Sequence, residues 1–299
     1  MKRIRLIGIL ALMTLTTSAL LAQSRVLRED SSRPANIRGG QVIVRLSGEA
    51  KIAQLNGRQG TRTLEQIPGT DYYLLELPEG ARVSDRLRRF SEEPGIIEAV
   101  PNYSYRAPEV LQTSQAFIDQ TSQAFIDQTS QAFIDAGVPV SFTRQKSVSS
   151  LHLAEAQRYS QGAGVKVAIV DTGIDFSHPL FRGRIEYPVY DFVDDDGNPS
   201  EEPGAGYGHG TFIAGLIALT APRATVMPVR AFAGDGTGTS FSIARAIRFA
   251  ADNGADIINM SFGLLEEDSL VKDAINYASR KAYLVAAAGN DDENFIHFP

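Results

Sequence analysis

The second half of the chain repeats one pattern of apolar and polar residues. Short apolar runs rich in Val, Ile and Ala alternate with longer segments whose apolar residues recur at helical spacing. Strands that alternate with helices favour an α/β fold, a doubly wound, mostly parallel sheet with helices on both faces. The runs predict strands at 165–170, 225–229, 256–260 and 283–287, and the longer segments predict helices at 211–219, 241–253 and from 268 onward.

An earlier segment, residues 40–107, has a different pattern. β-rich runs flank a stretch in which Val83, Leu87 and Phe90 share one helix face. We place strands at 41–46, 72–77 and 96–100, with Pro101 ending the last of them. The segment therefore predicts a small α+β domain that precedes the α/β domain of residues 149–299.

A tandem repeat separates the two predicted domains. The octad QTSQAFID occurs at 112–119, 120–127 and 128–135 without any substitution. A structural array such as a β-solenoid is one interpretation, but three short copies cannot bury a core by stacking alone. We therefore interpret residues 108–148 as a linker whose length is loosely constrained.

The N-terminus has the layout of a secretory signal peptide. Lys2, Arg3 and Arg5 precede an apolar run that ends near Ala22. A charged start, an apolar centre and small residues near a cleavage point are typical of exported precursors. An uncleaved membrane anchor is the alternative, but the run is short for a span and is interrupted by polar residues. We predict that residues 1–22 are removed on export, that the protein is secreted, and that it has no membrane association afterwards.

Composition narrows the classes of function. The chain of 299 residues has a formal net charge of −6 and no cysteine. The negative charge argues against a nucleic-acid partner, which usually needs a basic surface. The lack of cysteine excludes disulfides, thiolate metal sites and a cysteine nucleophile.

Residues able to do chemistry follow or lie between the predicted strands. Asp171 ends the first strand of the α/β domain, His209 lies between glycines at the start of a helix, and Asn290 follows the last strand. Taken singly, each residue has a plain structural interpretation: a turn or helix-capping acid, a loop histidine and a turn asparagine. Functional residues of such sheets collect at the carboxyl ends of strands, so these three residues are the candidates for chemistry, and the structural interpretations stay open at this point.

The motifs around these residues carry a resemblance to a known family. The sequences DTGID, GHGT-x-x-AG, NMSFG and AAAGN occur in this order, and from about Leu151 onward the chain resembles the subtilase family of subtilisin-like serine peptidases. The resemblance implies that Asp171 orients His209, that the two lie within hydrogen-bond reach, and that His209 is the general base. It also implies that Asn290 donates to the oxyanion of the tetrahedral intermediate.

The same resemblance implies a substrate groove and an internal partner. Ser261, Phe262 and Gly263 match the segment that pairs with the substrate backbone, and Gly236 lies in the glycine-rich opposite wall. Polypeptides are the implied substrates. Residues 40–107 are similar to the inhibitory propeptide of this family, which implies an intramolecular inhibitor.

The nucleophile is the unmatched part of the resemblance. In the family, the serine lies in a GTS-x-A motif well beyond the oxyanion asparagine. Ser240 lies in a similar GTSF sequence, but it precedes Asn290, and we interpret it as the cap of the helix at 241–253. We therefore expect these residues to be part of a peptidase precursor and to be inactive without the downstream serine. The alternatives are a shortened, inactive homologue acting as a binding or inhibitor protein, and a binding module that kept only the sheet.

No metal ligand is assigned from the sequence. Leu180 occupies the place of an acid that contributes to a calcium site in some subtilases. An acidic loop of oxygen-bearing side chains could instead ligate a hard cation such as Ca²⁺. We interpret this loop as solvated and keep Ca²⁺ as the alternative; its residues are Asp194, Asp195, Asp196, Asn198, Glu201 and Glu202.

Overall fold

The computed structural model describes residues 37–48, 50–106, 146–264 and 267–287. These residues form two sheets, one antiparallel and one parallel. The predicted signal peptide, most of the predicted linker and Asn290 lie outside the described residues. Within the described ranges, no helix is long and apolar enough to cross a membrane.

The N-terminal unit is an antiparallel sheet with two helices. Its strand order is β2-β3-β1-β4, and strand β8 (Thr237–Thr239) from the second half of the chain extends it beyond β4. In chain order the elements are β1 (Ile37–Leu46), α1 (Ile52–Gln59), β2 (Arg62–Gln66), β3 (Tyr72–Glu76), α2 (Val83–Ser91) and β4 (Ile96–Arg106).

Strand β1 is buried on both of its faces. Val42 and Val44 point toward Leu55 of α1 and Phe90 of α2, in the core of the N-terminal unit. Ile43, between them, belongs to the larger apolar cluster of the second half of the chain. Successive side chains of a strand point to opposite faces, so the N-terminal sheet is covered by its own helices on one side and by the neighbouring domain on the other.

The structure differs from the sequence prediction in this unit. Helix α1 and strand β2 were not predicted, because α1 buries only Leu55 and the exposed residues of both elements hide the periodicity. The predicted end of strand β4 at Pro101 is wrong, because the strand continues to Arg106. At Pro101 this strand pairs with β1 alone, since β8 joins only at Ser104, and proline is tolerated where a strand has a partner on one side only.

The parallel sheet has the strand order β10-β9-β5-β7-β6. All of its pairings are parallel, which confirms the predicted α/β class. In chain order, the elements of this half of the chain, including β8 of the other sheet, are α3 (Lys146–Ser150), α4 (Leu153–Ala156), β5 (Lys166–Asp171), β6 (Tyr190–Asp191), α5 (His209–Thr220), β7 (Thr225–Arg230), β8 (Thr237–Thr239), α6 (Ser240–Asp252), β9 (Ile257–Met260), α7 (Ser269–Ala278) and β10 (Tyr283–Ala286).

Alternating residues of β5 separate the two helical layers. Ile169 packs in a cluster with Ala214 and Ala218 of α5. Ala168 and Val170 point the other way, into the cluster that contains the apolar residues of α6 and α7. Helices therefore cover both faces of the sheet, as the doubly wound prediction required.

The start of α6 corrects one detail of the prediction. Thr239, not Ser240, is the N-cap: its Oγ1 accepts from the Ser242 N–H at 3.1 Å, and the Ser242 Oγ accepts from the Thr239 N–H at 2.9 Å. This reciprocal pair is a capping box. Ser240 is instead the first helical residue and is fully buried.

The N-terminal unit contacts α6, α7 and β8. Strand β4 pairs with β8 through Ser104–Thr239, Tyr105–Gly238 and Arg106–Thr237. Further contacts join Tyr72 to Asp273 of α7 and Glu65 to Arg245 of α6, with O···O and N···O distances of 2.7 Å each. The contact surface thus combines strand pairing with polar bonds to two helices.

Candidate active site

Strand β5 delivers Asp171 to the carboxyl edge of the parallel sheet. Asp171 is the last residue of the strand, and its side chain is 3% exposed. One carboxylate oxygen, Oδ1, accepts from the Thr172 N–H at 2.7 Å. The chain then turns at Gly173, whose φ is +100° and where a Cβ would lie 2.7 Å from the Pro199 carbonyl oxygen. The turn therefore needs glycine, for its backbone angle and for the close approach.

Helix α5 brings His209 against this turn. The helix begins at His209, directly after Gly208, whose φ is +89°. A Cβ at Gly210 would lie 1.9 Å from the Gly173 carbonyl oxygen, so the first turn of α5 and the turn after β5 meet in backbone contact. The glycines on either side of His209 are what permit this approach.

His209 and Asp171 form a buried pair. Nδ1 of His209 lies 2.6 Å from Oδ1 of Asp171, as predicted from the sequence, and both side chains are 3% exposed. Nδ1 is the donor, because a carboxylate can only accept. The lone pair of the neutral imidazole is then on Nε2, and Asp171 stabilises the cation that forms when Nε2 takes a proton. The pair can act as a general base held in one tautomer.

A third ionisable group lies beside this pair. Glu201 accepts from the Thr211 N–H at 3.1 Å and from the Thr211 Oγ1 at 2.6 Å. Its Oε1 lies 3.3 Å from the Thr172 hydroxyl. Burial raises the pKa of Glu201 to about 7, and the nearby Asp171 carboxylate acts in the same direction. In the sequence, Glu201 is one of several acids in the loop, and its position beside the pair was not predicted.

The segments predicted to form the groove lie on either side of the pair. Strand β9 neighbours β5, and the register Ile169–Asn259 places Ser261 at the level of Asp171, each two residues further along. The Phe262 side chain is 1% exposed and packs on Phe232 with ring centroids 5.0 Å apart. In the Ser261–Gly263 segment, the backbone N–H and C=O groups are therefore available to a ligand, whereas the Phe262 ring is not.

The opposite wall is occupied by the N-terminal unit. Gly236 has a φ of +81° and precedes β8, and β8 is the strand that pairs with β4. The end of β4 thus lies in an extended conformation along one wall of the predicted groove. Asn290, the predicted oxyanion donor, lies outside the described residues.

The hydroxyl of Ser240 is engaged away from the pair. It donates to Oδ2 of Asp268 at 2.5 Å, and Asp268 is 4% exposed. Tyr105 of β4 donates to the same oxygen at 2.9 Å. Asp268 also caps α7, since its Oδ1 accepts from the Val271 N–H at 3.0 Å. Ser240 is thus part of the contact between the N-terminal unit and α7.

The acidic loop is organised by an arginine. Arg230 is 1% exposed, and its guanidinium contacts Asp191 at 2.6 Å, Asp194 at 2.7 Å and Glu202 at 2.6 Å. Within the described residues, no group of three or more His, Asp or Glu side chains could hold a metal ion. Of the predicted ligands, Asp194 and Glu202 pair with Arg230, and Asp195 pairs with Arg245 at 3.0 Å. Glu201 turns away to Thr211, so a Ca²⁺ ion would have to displace protein partners from four of the six residues.

Comparison with known proteins identifies both parts of the chain. Residues 162–299 match the model of the subtilase family. They form a domain of that family. Residues 28–102 match the model of the fervidolysin N-terminal prodomain, so the unit that precedes the subtilase domain is called the prodomain below.

Individual relatives of the subtilase domain are peptidases by name. Thermitase from Thermoactinomyces vulgaris is 37% identical over 172 residues, which cover 54% of this chain and 60% of thermitase. The minor extracellular protease Vpr from Bacillus subtilis is 35% identical over 148 residues, which cover 44% of this chain and 18% of that protein.

One solved structure extends the likeness to both domains. Fervidolysin from Fervidobacterium pennivorans, described as a keratinolytic enzyme related to subtilisin, has a TM-score of 0.62 and 21% identity. The match covers 89% of this chain and 42% of fervidolysin, and it establishes the shared fold. The chain spans less than two thirds of each of these three proteins.

Proposed function

We propose that this chain belongs to the precursor of a secreted serine endopeptidase in which His209 is the general base and Asp171 is the carboxylate that orients it. The observation that carries the proposal is the buried 2.6 Å contact between Nδ1 of His209 and Oδ1 of Asp171, at the sheet edge of a subtilase domain. Family membership supports the reaction class, and the predicted signal peptide at 1–22 supports secretion.

The first half of the proposed reaction uses the pair in two proton transfers and leaves the acyl group on the serine; the second half repeats both transfers with water as the nucleophile and the serine oxygen as the leaving group. Nε2 of His209 accepts the proton of a serine hydroxyl as that oxygen attacks the substrate carbonyl, and Asp171 stabilises the imidazolium. Nε2 then returns the proton to the leaving amine. Asn290 is proposed to donate to the oxyanion, and the Ser261–Gly263 backbone to hold the substrate. The nucleophile is proposed to follow Asn290 in the precursor, because Ser240 donates to Asp268.

The prodomain is proposed to inhibit the same domain. Residues 104–106 of β4 pair antiparallel with β8 on the wall of the groove, where the backbone of an extended substrate would bind. Tyr105 adds a bond to the buried Asp268. A prodomain held by backbone pairing and by buried polar contacts would exclude polypeptide substrates until it is removed.

The test compares the chain with a completed form. Residues 23–299, and the same chain extended by the downstream coding sequence, are expressed and assayed on an unstructured polypeptide with and without a serine-directed inhibitor. We expect inhibitor-sensitive hydrolysis by the extended form only, and its loss in His209→Ala and Asp171→Ala.

Two controls make the outcome decisive. Ser240→Ala in the extended form should leave hydrolysis intact, since Ser240 faces Asp268. Hydrolysis by residues 23–299 that Ser240→Ala abolishes would refute the nucleophile assignment. A correctly folded extended form that hydrolyses nothing but binds a related peptidase would favour the inhibitor alternative.

A further inference from the structure

The carboxylate of Glu201 joins the two segments that carry the proposed catalytic pair. Its Oε1 contacts the hydroxyl of Thr172, the residue directly after Asp171, at 3.3 Å. Both oxygens contact Thr211, two residues after His209, at 3.1 Å to the backbone N–H and 2.6 Å to the hydroxyl. One side chain thus bridges the turn after β5 and the first turn of α5.

We propose that Glu201 is a positioning residue for the Asp171–His209 pair. It holds the two segments that carry the pair in place, and its negative charge stabilises the protonated imidazole of His209. The inference rests on the proposed function, because it assigns Glu201 to the same site. Glu201 contacts Thr172 and Thr211, so its effect on the reaction is exerted through the position and the charge of the Asp171–His209 pair.

The bonding around Glu201 explains how it positions the pair. The Thr172 hydroxyl accepts from the Gly210 N–H at 3.1 Å, and the Thr211 hydroxyl accepts from the Asp175 N–H at 2.8 Å. Each threonine oxygen therefore has a backbone donor from the opposite segment and Glu201 as its acceptor. Without the carboxylate, the Thr211 N–H and both hydroxyl protons would lose the acceptor that fixes their direction.

The charge of Glu201 acts on the same centre. The ionisable groups that face Glu201 are Asp171 of β5, His209 of α5 and the ring of Tyr207 in the preceding loop, with Asp175 nearby. A second carboxylate next to the imidazole stabilises its cation, and the effect is stronger where the site is partly shielded from water. Burial raises the pKa of Glu201 to about 7, so this support is present above neutral pH and is lost as the pH falls and the carboxyl is protonated.

The adjacent residue provides a matched control. Glu202 has the same chemistry, but its side chain is 53% exposed and pairs with Arg230 at 2.6 Å. Glu201→Gln removes the charge beside the pair and keeps most of the shape, whereas Glu202→Gln removes an equal charge one residue away on the arginine side.

The experiment is an NMR titration of His209 in the chain of residues 23–299. The histidines are labelled with ¹⁵N, and His209 is assigned by its loss in His209→Gln. We expect Glu201→Gln to lower the titration midpoint of His209 by roughly 0.5–1 pH unit, the size of a screened charge a few ångströms away. Glu202→Gln should lower it by less than about 0.2 pH unit, since that charge is more exposed and paired.

A second measurement uses the unmodified protein and does not depend on any variant folding. The ¹³C carboxyl signal of Glu201 should titrate near neutrality, and the His209 ring signals should change again over the same pH range. His209 signals insensitive to the Glu201 titration, or equal midpoints in Glu201→Gln and the unmodified chain, would overturn the proposal. Neither measurement depends on hydrolysis. A failure of the peptidase proposal would therefore be detected separately, in the activity assay of the extended form.

Discussion

The hydrogen bond between Tyr105 and Asp268 gives a quantitative prediction about how strongly the prodomain is bound to the subtilase domain. Tyr105→Phe removes one hydroxyl and leaves the ring in place. The lost bond is 2.9 Å long and ends on a carboxylate that is 4% exposed. A hydrogen bond to a charged group contributes about 1.5–3 kcal/mol. Asp268 keeps its bonds from Ser240 and Val271, which places the expected loss at the lower end, about 1.5–2 kcal/mol.

A second tyrosine of the prodomain, whose hydroxyl also donates to an aspartate of α7, provides the control variant. Tyr72 donates to Asp273 of α7 at 2.7 Å, but the Asp273 side chain is 45% exposed. Water can replace the hydroxyl there, so Tyr72→Phe should cost only about 0.5 kcal/mol. The two variants remove the same group from the same domain and differ in the burial of the acceptor.

Amide hydrogen exchange measures the loss of stability at the contact between the two domains. Opening of the β4–β8 pairing exposes the amides of residues 104–106 and 237–239. Their exchange should accelerate about 10- to 30-fold in Tyr105→Phe and less than about 3-fold in Tyr72→Phe. Equal acceleration in the two variants would show that burial of Asp268 does not set the strength of the contact, and would refute the reasoning.

Three further predictions follow from other contacts. Arg230→Met should destabilise the subtilase domain by about 3–5 kcal/mol in urea unfolding, because the buried Asp191 carboxylate loses its partner; a change below about 1 kcal/mol would contradict this. Gly210→Ala should separate α5 from Gly173 and abolish the low-field proton signal of a His209 Nδ1–H donor, and retention of that signal would show that the backbone can yield. Burial and the neighbouring Asp268 raise the pKa of Tyr105 above its ordinary value of 10.0, so the folded state keeps a proton that the unfolded chain loses. Stability should therefore fall as the pH rises above about 10, more steeply than in Tyr105→Phe, and equal slopes in a pH series of thermal melts would contradict the assignment.

The contact between Asp171 and His209 could be predicted because the residues next to each of them show what the local backbone requires. Asp171 ends an apolar run, and glycines flank His209, so the sequence marks both the sheet edge and the close approach. Glu201 and Glu202 carry no such mark. They are identical neighbours, and only the path of the loop turns one toward Thr211 and the other toward Arg230.

Other differences have the same origin in tertiary contacts. Helix α1 has one buried residue, Leu55, so its pattern is too weak to distinguish it from a loop. The extension of β4 beyond Pro101 pairs with Ile37 of β1 at Tyr103 and with β8 at residues 104–106. Strand β8 lies more than 130 residues later in the chain. Pairing across such a distance leaves no periodic signal in either segment.

The double burial of β1 makes the stability of the prodomain depend on its contact with the subtilase domain. Ile43, Ile67 and Leu74 of the prodomain belong to the apolar cluster of the subtilase domain, so the two domains share part of one interior. A prodomain that departs must bring these side chains into water, which costs it the burial on one whole face of its sheet. The separated prodomain keeps the core formed under its own helices, around Leu55 and Phe90, so separation of the two domains should lower its stability without removing its fold. A separated prodomain would then unfold more often than a bound one, and each unfolded period would delay rebinding and expose the chain to proteolysis.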